Sequence, residues 1–222
     1  MPNGLSKAIL TSMAITACLV ILAAMALSGC KKDPQPSPPQ AGGDWRISHS
    51  AGVPDYMKKR DDGAYSFEFP KAPGHVNYVT KSYNKDLTGK NITFTFTIEG
   101  DATFVPAGQG DEPPTKVVLY VQRQGDTLYA KPNDGTLEHY RWWSTFSVPL
   151  KPGTYSIIWP VNPENWINVW GKNGGEHQGA FNDAMRNPQN IGFTLSGKYF
   201  AGHGVYIKNG SAKFILKSYS ID

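Results

Sequence analysis

Residues 91–99 read Asn-Ile-Thr-Phe-Thr-Phe-Thr-Ile-Glu, and this alternation restricts the chain more than any other stretch. Successive side chains of an extended strand point to opposite sides, so Ile92, Phe94, Phe96 and Ile98 form one apolar face and Thr93, Thr95 and Thr97 a polar, β-branched one. A helix would scatter the same residues around its circumference. Residues 116–123 behave similarly, with Val117, Leu119 and Val121 opposing Val118 and Tyr120. Further strand candidates are 64–69, 76–81, 140–148, 154–159, 191–196, 204–207 and 213–221, separated by turn chemistry at Lys151-Pro152-Gly153, Asn133-Asp134-Gly135 and Asn209-Gly210. Only 179–186 reads as helical, and it is short. No fixed-period repeat suggests a solenoid or propeller. Aromatic residues make up 12% of the chain, with six Trp and 11 Tyr, which suits strands. The pattern predicts an all-β domain over 44–222, folded as an antiparallel jelly-roll β-sandwich.

The N-terminus is a different kind of segment. A short stretch ending at Lys7 precedes an apolar run over 8–27 that is interrupted only by Thr11, Ser12 and Thr16. That order is the one used by secretory signals, although about 20 apolar residues are also enough for a single membrane span. The run ends Leu27-Ser28-Gly29-Cys30, which resembles the lipobox of bacterial lipoproteins. The resemblance implies a signal peptide over 1–29, cleavage before Cys30, and acylation of Cys30 through a diacylglycerol thioether with further acyl chains such as palmitate. The bilayer is then the first partner. Lys31 follows the acylated position in place of the Asp that retains enteric-type lipoproteins at the inner membrane, so the expected address is the outer membrane of a bacterial envelope. Cys18 would leave with the signal, and the exported domain would hold no disulfide and no thiol nucleophile. Residues 31–43, rich in Pro, Gln and Gly, cannot bury a core. As an extended polyproline-type spacer they reach at most roughly 40 Å, at about 3.1 Å per residue. A ligand for a proline-recognition domain is the sharper alternative for this stretch.

The C-terminal third carries a second resemblance. Phe181-Asn182-Asp183-Ala184-Met185, then Asn190-Ile191-Gly192-Phe193-Thr194-Leu195-Ser196-Gly197, then Gly202-His203-Gly204-Val205 and a last strand ending Tyr219-Ser220-Ile221 resemble galactose-binding-like sandwiches, a superfamily that includes many carbohydrate-binding modules. The resemblance implies an eight- or nine-stranded jelly roll with a non-catalytic binding role. It assigns no ligand residues.

Candidate binding residues come from the side chains themselves. Trp142 and Trp143 are adjacent, so in a strand one faces the core and the other the second surface. An indole plane suits the apolar C–H face of a sugar ring, and Tyr140 and Arg141 offer flanking donors. The alternative is that both tryptophans are structural. Trp166, Asn168 and Trp170 share a face if 165–171 is extended, a pattern suited to a polyol; the alternative is that they plug one end of the sandwich. His203, between two glycines, reads first as a turn residue and second as a binding residue.

Catalysis and metal binding have less support. The five histidines show no zinc spacing, and there is no nucleophile elbow. Glu68, Glu99, Asp101, Glu138 and Glu164 are carboxylates that would need to converge for glycoside hydrolysis. The resemblance admits a structural calcium, for which no signature is present, and no cofactor is expected. A formal net charge of +4 over 222 residues gives no basis for nucleic acid. Three readings follow. The first is an envelope lipoprotein displaying a sandwich that binds a glycan or envelope polysaccharide. The second is a structural or assembly lipoprotein that binds an envelope protein. The third is a glycan-cleaving enzyme.

Overall fold

The computed structural model describes residues 45–128 and 137–222. The signal sequence, Cys30, the proline-rich spacer and the turn at 133–135 lie outside the described residues. The strands in chain order are β1 (Arg46–Ser48), β2 (Lys58–Lys59), β3 (Tyr65–Glu68), β4 (Tyr78–Ser82), β5 (Asn91–Gly100), β6 (Thr103–Pro106) and β7 (Lys116–Arg123). They continue with β8 (Arg141–Pro149), β9 (Gly153–Pro160), β10 (Trp166–Asn168), β11 (Pro188–Ser196), β12 (Val205–Asn209) and β13 (Ala212–Ile221). One α-helix, α1 (Gln178–Arg186), lies between β10 and β11.

The strands form a six-stranded sheet in the order β1-β4-β11-β7-β8-β10 and a five-stranded sheet in the order β2-β3-β13-β5-β9. Strands β12 and β6 pair separately. Every neighbouring pair in these sheets is antiparallel. Leaving aside the short edge strands and the β6–β12 pair, the chain runs β3, β4, β5, β7, β8, β9, β11, β13. One sheet takes the first, eighth, third and sixth of these, and the other takes the second, seventh, fourth and fifth. Consecutive strands therefore cross repeatedly between the two sheets, which is the winding of a jelly roll.

The expected alternation builds the core. Ile92, Phe94, Phe96 and Ile98 of β5 are buried, facing Ile191, Phe193 and Leu195 of β11 and Val117, Leu119 and Val121 of β7. Phe193 joins the sheets: its ring lies 5.1 Å from Phe94 and 4.8 Å from Phe214, both in the opposing sheet. Helix α1 starts one residue before the expected segment. It buries Phe181, Ala184 and Met185, and the edge of Phe181 meets Trp142 at 5.2 Å and 90°.

Strand β7 is buried on both faces, which an ordinary solvent-facing sheet surface would not require. Tyr78, Val118, Tyr120 and Trp143 form a second apolar cluster on the outer side of the six-stranded sheet, with Ile167, Val169 and Ala201 packed around it. A bulge positions this cluster. Val118 pairs with Ser147, but Tyr120 pairs with Trp143, so β8 carries extra residues opposite Leu119. The hydroxyl of Ser144 accepts the Leu119 N–H at 3.1 Å in place of a ladder bond and itself donates to the Phe146 carbonyl at 2.7 Å. The ladder stays satisfied, and Trp143 is left directly beside Tyr120.

Candidate functional site

The outer face of the six-stranded sheet gathers aromatic rings and polar groups that are far apart in sequence. In register, Tyr78 of β4 lies beside Thr194 of β11, which lies beside Val118 of β7. In the adjoining row Thr80, Gly192, Tyr120, Trp143 and Ile167 are neighbours on successive strands. Gly192 leaves the middle of that row without a side chain, because a Cβ there would run into the Val79 carbonyl. Tyr78 meets Tyr120 edge-on at 5.0 Å, Tyr120 meets Trp143 at 5.2 Å, and His49 packs edge-on against Tyr78 at 5.5 Å.

Polar groups border the rings. Arg141 lies 3.3 Å from Asp126 and hydrogen-bonds Tyr78. Asp126 also accepts from Gln122 Nε2 at 2.8 Å, and Gln122 Oε1 accepts from Asn190 Nδ2 at 2.7 Å. Arg141 and Asp126 balance each other beside the rings, while Arg46, next to Thr80 in register, and Lys116, next to Ser196, add positive charge farther along the same face.

Several buried polar atoms on this face have no hydrogen-bond partner in the protein: Tyr120 Oη, Trp143 Nε1, Thr194 Oγ1 and Arg141 Nε. The Arg141 Nε is close enough to Asp126 for an ion pair but is not aligned for a hydrogen bond, and the ion pair is the interaction that matters there. Each buried polar group left unmade costs about 1–3 kcal/mol, and native proteins keep few of them. Four on one sheet face, among aromatic rings, are therefore the anomaly of this fold. Burial pushes the Tyr120 hydroxyl well above its ordinary pKa, so it remains protonated and able to donate. The arrangement sets neutral and cationic donors beside aromatic rings that are themselves buried, with Ile167, Val169 and Ala201 packed against them.

The residues singled out from sequence divide between this face and the core. Arg141 and Trp143 belong to the outer face, and Trp143 is 3% exposed. Trp142 is fully buried on the inner face and donates its indole N–H to the His139 carbonyl at 2.7 Å, so it is a core residue and not a surface for a sugar. Tyr140 precedes β8 and lies under the Arg123 guanidinium, 4.3 Å from its ring centroid.

The shared face expected for Trp166, Asn168 and Trp170 does not form. Strand β10 ends at Asn168, whose Oδ1 accepts the N–H groups of Trp170 at 3.0 Å and Lys172 at 2.9 Å and turns the chain. Trp166 is fully buried and donates to the Pro160 carbonyl at 3.2 Å. Trp170 is 45% exposed on the resulting loop, next to Val169, which packs on the outer cluster. His203 is exposed and stacks on Phe200 at 4.6 Å, between glycines in the left-handed region. Its loop borders the site: Ala201 touches the outer cluster, and Gly202 lies so close to Tyr78 Oη that a Cβ would sit 2.6 Å from it.

Asn168 also holds the loop to its neighbours. Its Nδ2 donates to His139 Nδ1 at 3.1 Å, which places the His139 proton on Nε2, where it meets Glu138 at 3.1 Å. Glu138 is buried and receives Lys172 Nζ at 3.0 and 3.2 Å. Replacing Asn168 with Ala removes the acceptor for two backbone donors, and we expect a loss of about 1–3 kcal/mol. Faster amide exchange at Trp170 and Lys172 in the variant would be the accompanying signature.

Two of the other carboxylates considered from sequence have separate partners. Glu68 pairs with Lys213 at 2.9 Å, and Asp101 Oδ1 accepts from the Ser211 N–H at 3.0 Å. Among the described residues, no group of three or more His, Cys, Asp or Glu side chains could hold a metal ion.

Tyr78, Tyr120, Thr194, Gln122, Asp126 and His49 were not singled out from sequence. The available signal was the second apolar face of β7, where Val118 and Tyr120 replace the polar residues expected of a solvent-facing surface.

No protein-family model and no curated protein matches the chain. Solved structures with a related fold include that of PfGH50B, with a TM-score of 0.43 and 13% identity, covering 80% of this chain and 22% of the other. The chain thus spans under a quarter of that protein. A second is the xylan-binding module CBM15, with a TM-score of 0.35 and 11% identity, covering 81% of this chain and 94% of the module. A third belongs to work on endo-acting O-glycanases with which prominent members of the human gut microbiota initiate mucin breakdown. Its TM-score is 0.37 and its identity 11%, with 83% of this chain and 89% of the other covered. At these TM-scores the likenesses add nothing to the fold and site described above.

Proposed function

We propose that the sandwich is a non-catalytic carbohydrate-binding domain, with its ligand on the outer face of the six-stranded sheet. The observation that carries this reading is the pair of buried donors without a hydrogen-bond partner in the protein, Tyr120 Oη and Trp143 Nε1, with the Asp126-paired Arg141 guanidinium and the rings of Tyr78, Tyr120 and Trp143 beside them. Sugar hydroxyls would satisfy those donors, and C–H faces would pack on the rings.

The test is a glycan-array screen of the full chain, followed by titration of Tyr120→Phe with the best hit. This variant removes a hydroxyl that has no partner in the free protein, so its thermal stability should match or exceed the parent's. Its affinity should fall roughly 3- to 10-fold, the equivalent of one lost hydrogen bond. Unchanged affinity would remove the site from this face, and a folded protein with no glycan hit would favour a protein partner.

The address belongs to the same proposal. Leu27-Ser28-Gly29-Cys30 and the apolar run before it support a lipid-anchored envelope protein, with Lys31 favouring the outer membrane. Cys30→Ser should then move the protein from the membrane fraction and abolish incorporation of labelled palmitate. Retained label would refute acylation at Cys30.

A further inference from the structure

Lys81 occupies a position where the sandwich calls for an apolar side chain. Along β4, Tyr78 lies on the outer face and Val79 in the core, so the alternation turns Lys81 inward, opposite Ile191 of β11. Its ammonium lies 5.1 Å from the Trp45 ring centroid and 5.5 Å from that of Tyr219, and these two rings are 5.2 Å apart. Among the described residues, no carboxylate lies within ion-pair distance of it. Packing of the lysine stem on Trp45 accounts for the methylenes. It leaves a half-buried cation without a counter-ion, and burial holds its pKa below the ordinary lysine value.

A cleft of about 330 Å³ opens around this lysine, within the range of small-molecule sites. Tyr65 and Tyr83, both half-buried, present ring surface to it, and Ser82 and Ser218 are exposed at its edge. A bulge in β13 between Leu216 and Ser218 interrupts the alternation and leaves Lys217 exposed at the rim. The nearest acid to Lys217 is Asp62, at 3.9 Å. Two ammonium groups thus border an aromatic cleft, and Asp62, the acid paired with Lys217, is not among the residues that line it.

We propose that this cleft is a second binding site and takes an anionic sugar residue. The carboxylate or sulfate would sit between Lys81 and Lys217, and the ring would pack against Tyr65 and Tyr83. The anion restores the counter-ion that Lys81 lacks, and the serine hydroxyls are placed to meet ring hydroxyls. The site is separate from the outer face and does not depend on it.

The test follows the ¹⁵N amide and indole resonances of the full chain in detergent during titration with digalacturonate, its dimethyl ester and a sulfated galactose disaccharide. The ester keeps the shape and removes the charge. We expect saturable shifts at the Trp45 indole and at residues of β4 with at least one of the two anions, and an affinity about tenfold or more lower for the ester, as expected for a charge-assisted contact. Lys81→Met keeps the stem and should reproduce that loss, whereas Lys81→Arg should retain binding. Tyr120→Phe, on the outer face, should leave it unchanged, which separates this site from the other. Which anion shifts the resonances decides between carboxylate and sulfate. Failure of both anions to bind, equal binding of acid and ester, or full affinity in Lys81→Met would each overturn the proposal.

Discussion

Phe193→Ala is expected to lower stability by about 3–5 kcal/mol, the usual range for emptying a buried phenylalanine site. Phe193 has no exposed surface and belongs to β11, yet its closest ring neighbours are Phe94 of β5 and Phe214 of β13 in the opposing sheet. Trp45 adds a further contact at 6.2 Å. Removing the ring therefore opens a void between two rigid sheets that cannot close without bending a ladder. The cavity term adds to the lost transfer energy. For a domain of this size the midpoint of thermal unfolding should fall by roughly 6–20 °C, at about 2–4 °C per kcal/mol. A drop of only a degree or two, by calorimetry or circular dichroism, would mean that the sheets are not joined through this residue.

The adjacent tryptophans of β8 should give opposite results. Trp142→Phe loses a real hydrogen bond, since its indole N–H donates to the His139 carbonyl at 2.7 Å. Trp143→Phe loses none within the protein, because its N–H has no partner there. Both variants shrink a buried ring, so the volume terms largely cancel between them. We expect Trp142→Phe to be less stable than Trp143→Phe by about 0.5–1.5 kcal/mol, the net worth of one hydrogen bond. Ligand binding should show the reverse order, with Trp143→Phe weakening glycan affinity and Trp142→Phe leaving it near the parent value. Chemical denaturation with both variants measures the first difference, and titration with the array hit measures the second. Equal stabilities would contradict the hydrogen-bond assignment of Trp142, and equal affinities would contradict the site on the outer face.

Strand β5 shows how far periodicity carries. Nine of its ten residues lie in the segment picked from alternation alone, and its partners β9 and β13 and the opposing strands β7 and β11 were also placed within a few residues. The strands missed were β1, β2 and β6, which have three, two and four residues. Such lengths are too short for a period of two to stand out, and these strands exist because a longer neighbour offers an edge. The segment after Trp166 failed for a different reason. Asn168 read as the polar member of a Trp166-Asn168-Trp170 face along a strand, but its amide closes a turn, and that role depends on the Lys172 backbone four residues later and on His139.

The sequence by itself determined the longer strands, the all-β class, and the fact that Trp142 and Trp143 face opposite ways. All of these follow from local geometry, in which neighbouring side chains alternate and Gly, Pro and Asn mark turns. It could not say which of the two tryptophans faces the core, since that depends on the bulge opposite Leu119. Nor could it bring Tyr78, Tyr120, Trp143 and Thr194 to one face, because they sit on four strands whose order is set by jelly-roll winding. Lys81 is the sharpest case. In sequence it is an ordinary lysine near a strand end, and only the packing of Trp45 and Tyr219 beneath it makes it a half-buried cation with no acid to pair with. Local periodicity chooses the elements, and the register between distant strands decides which side chains meet.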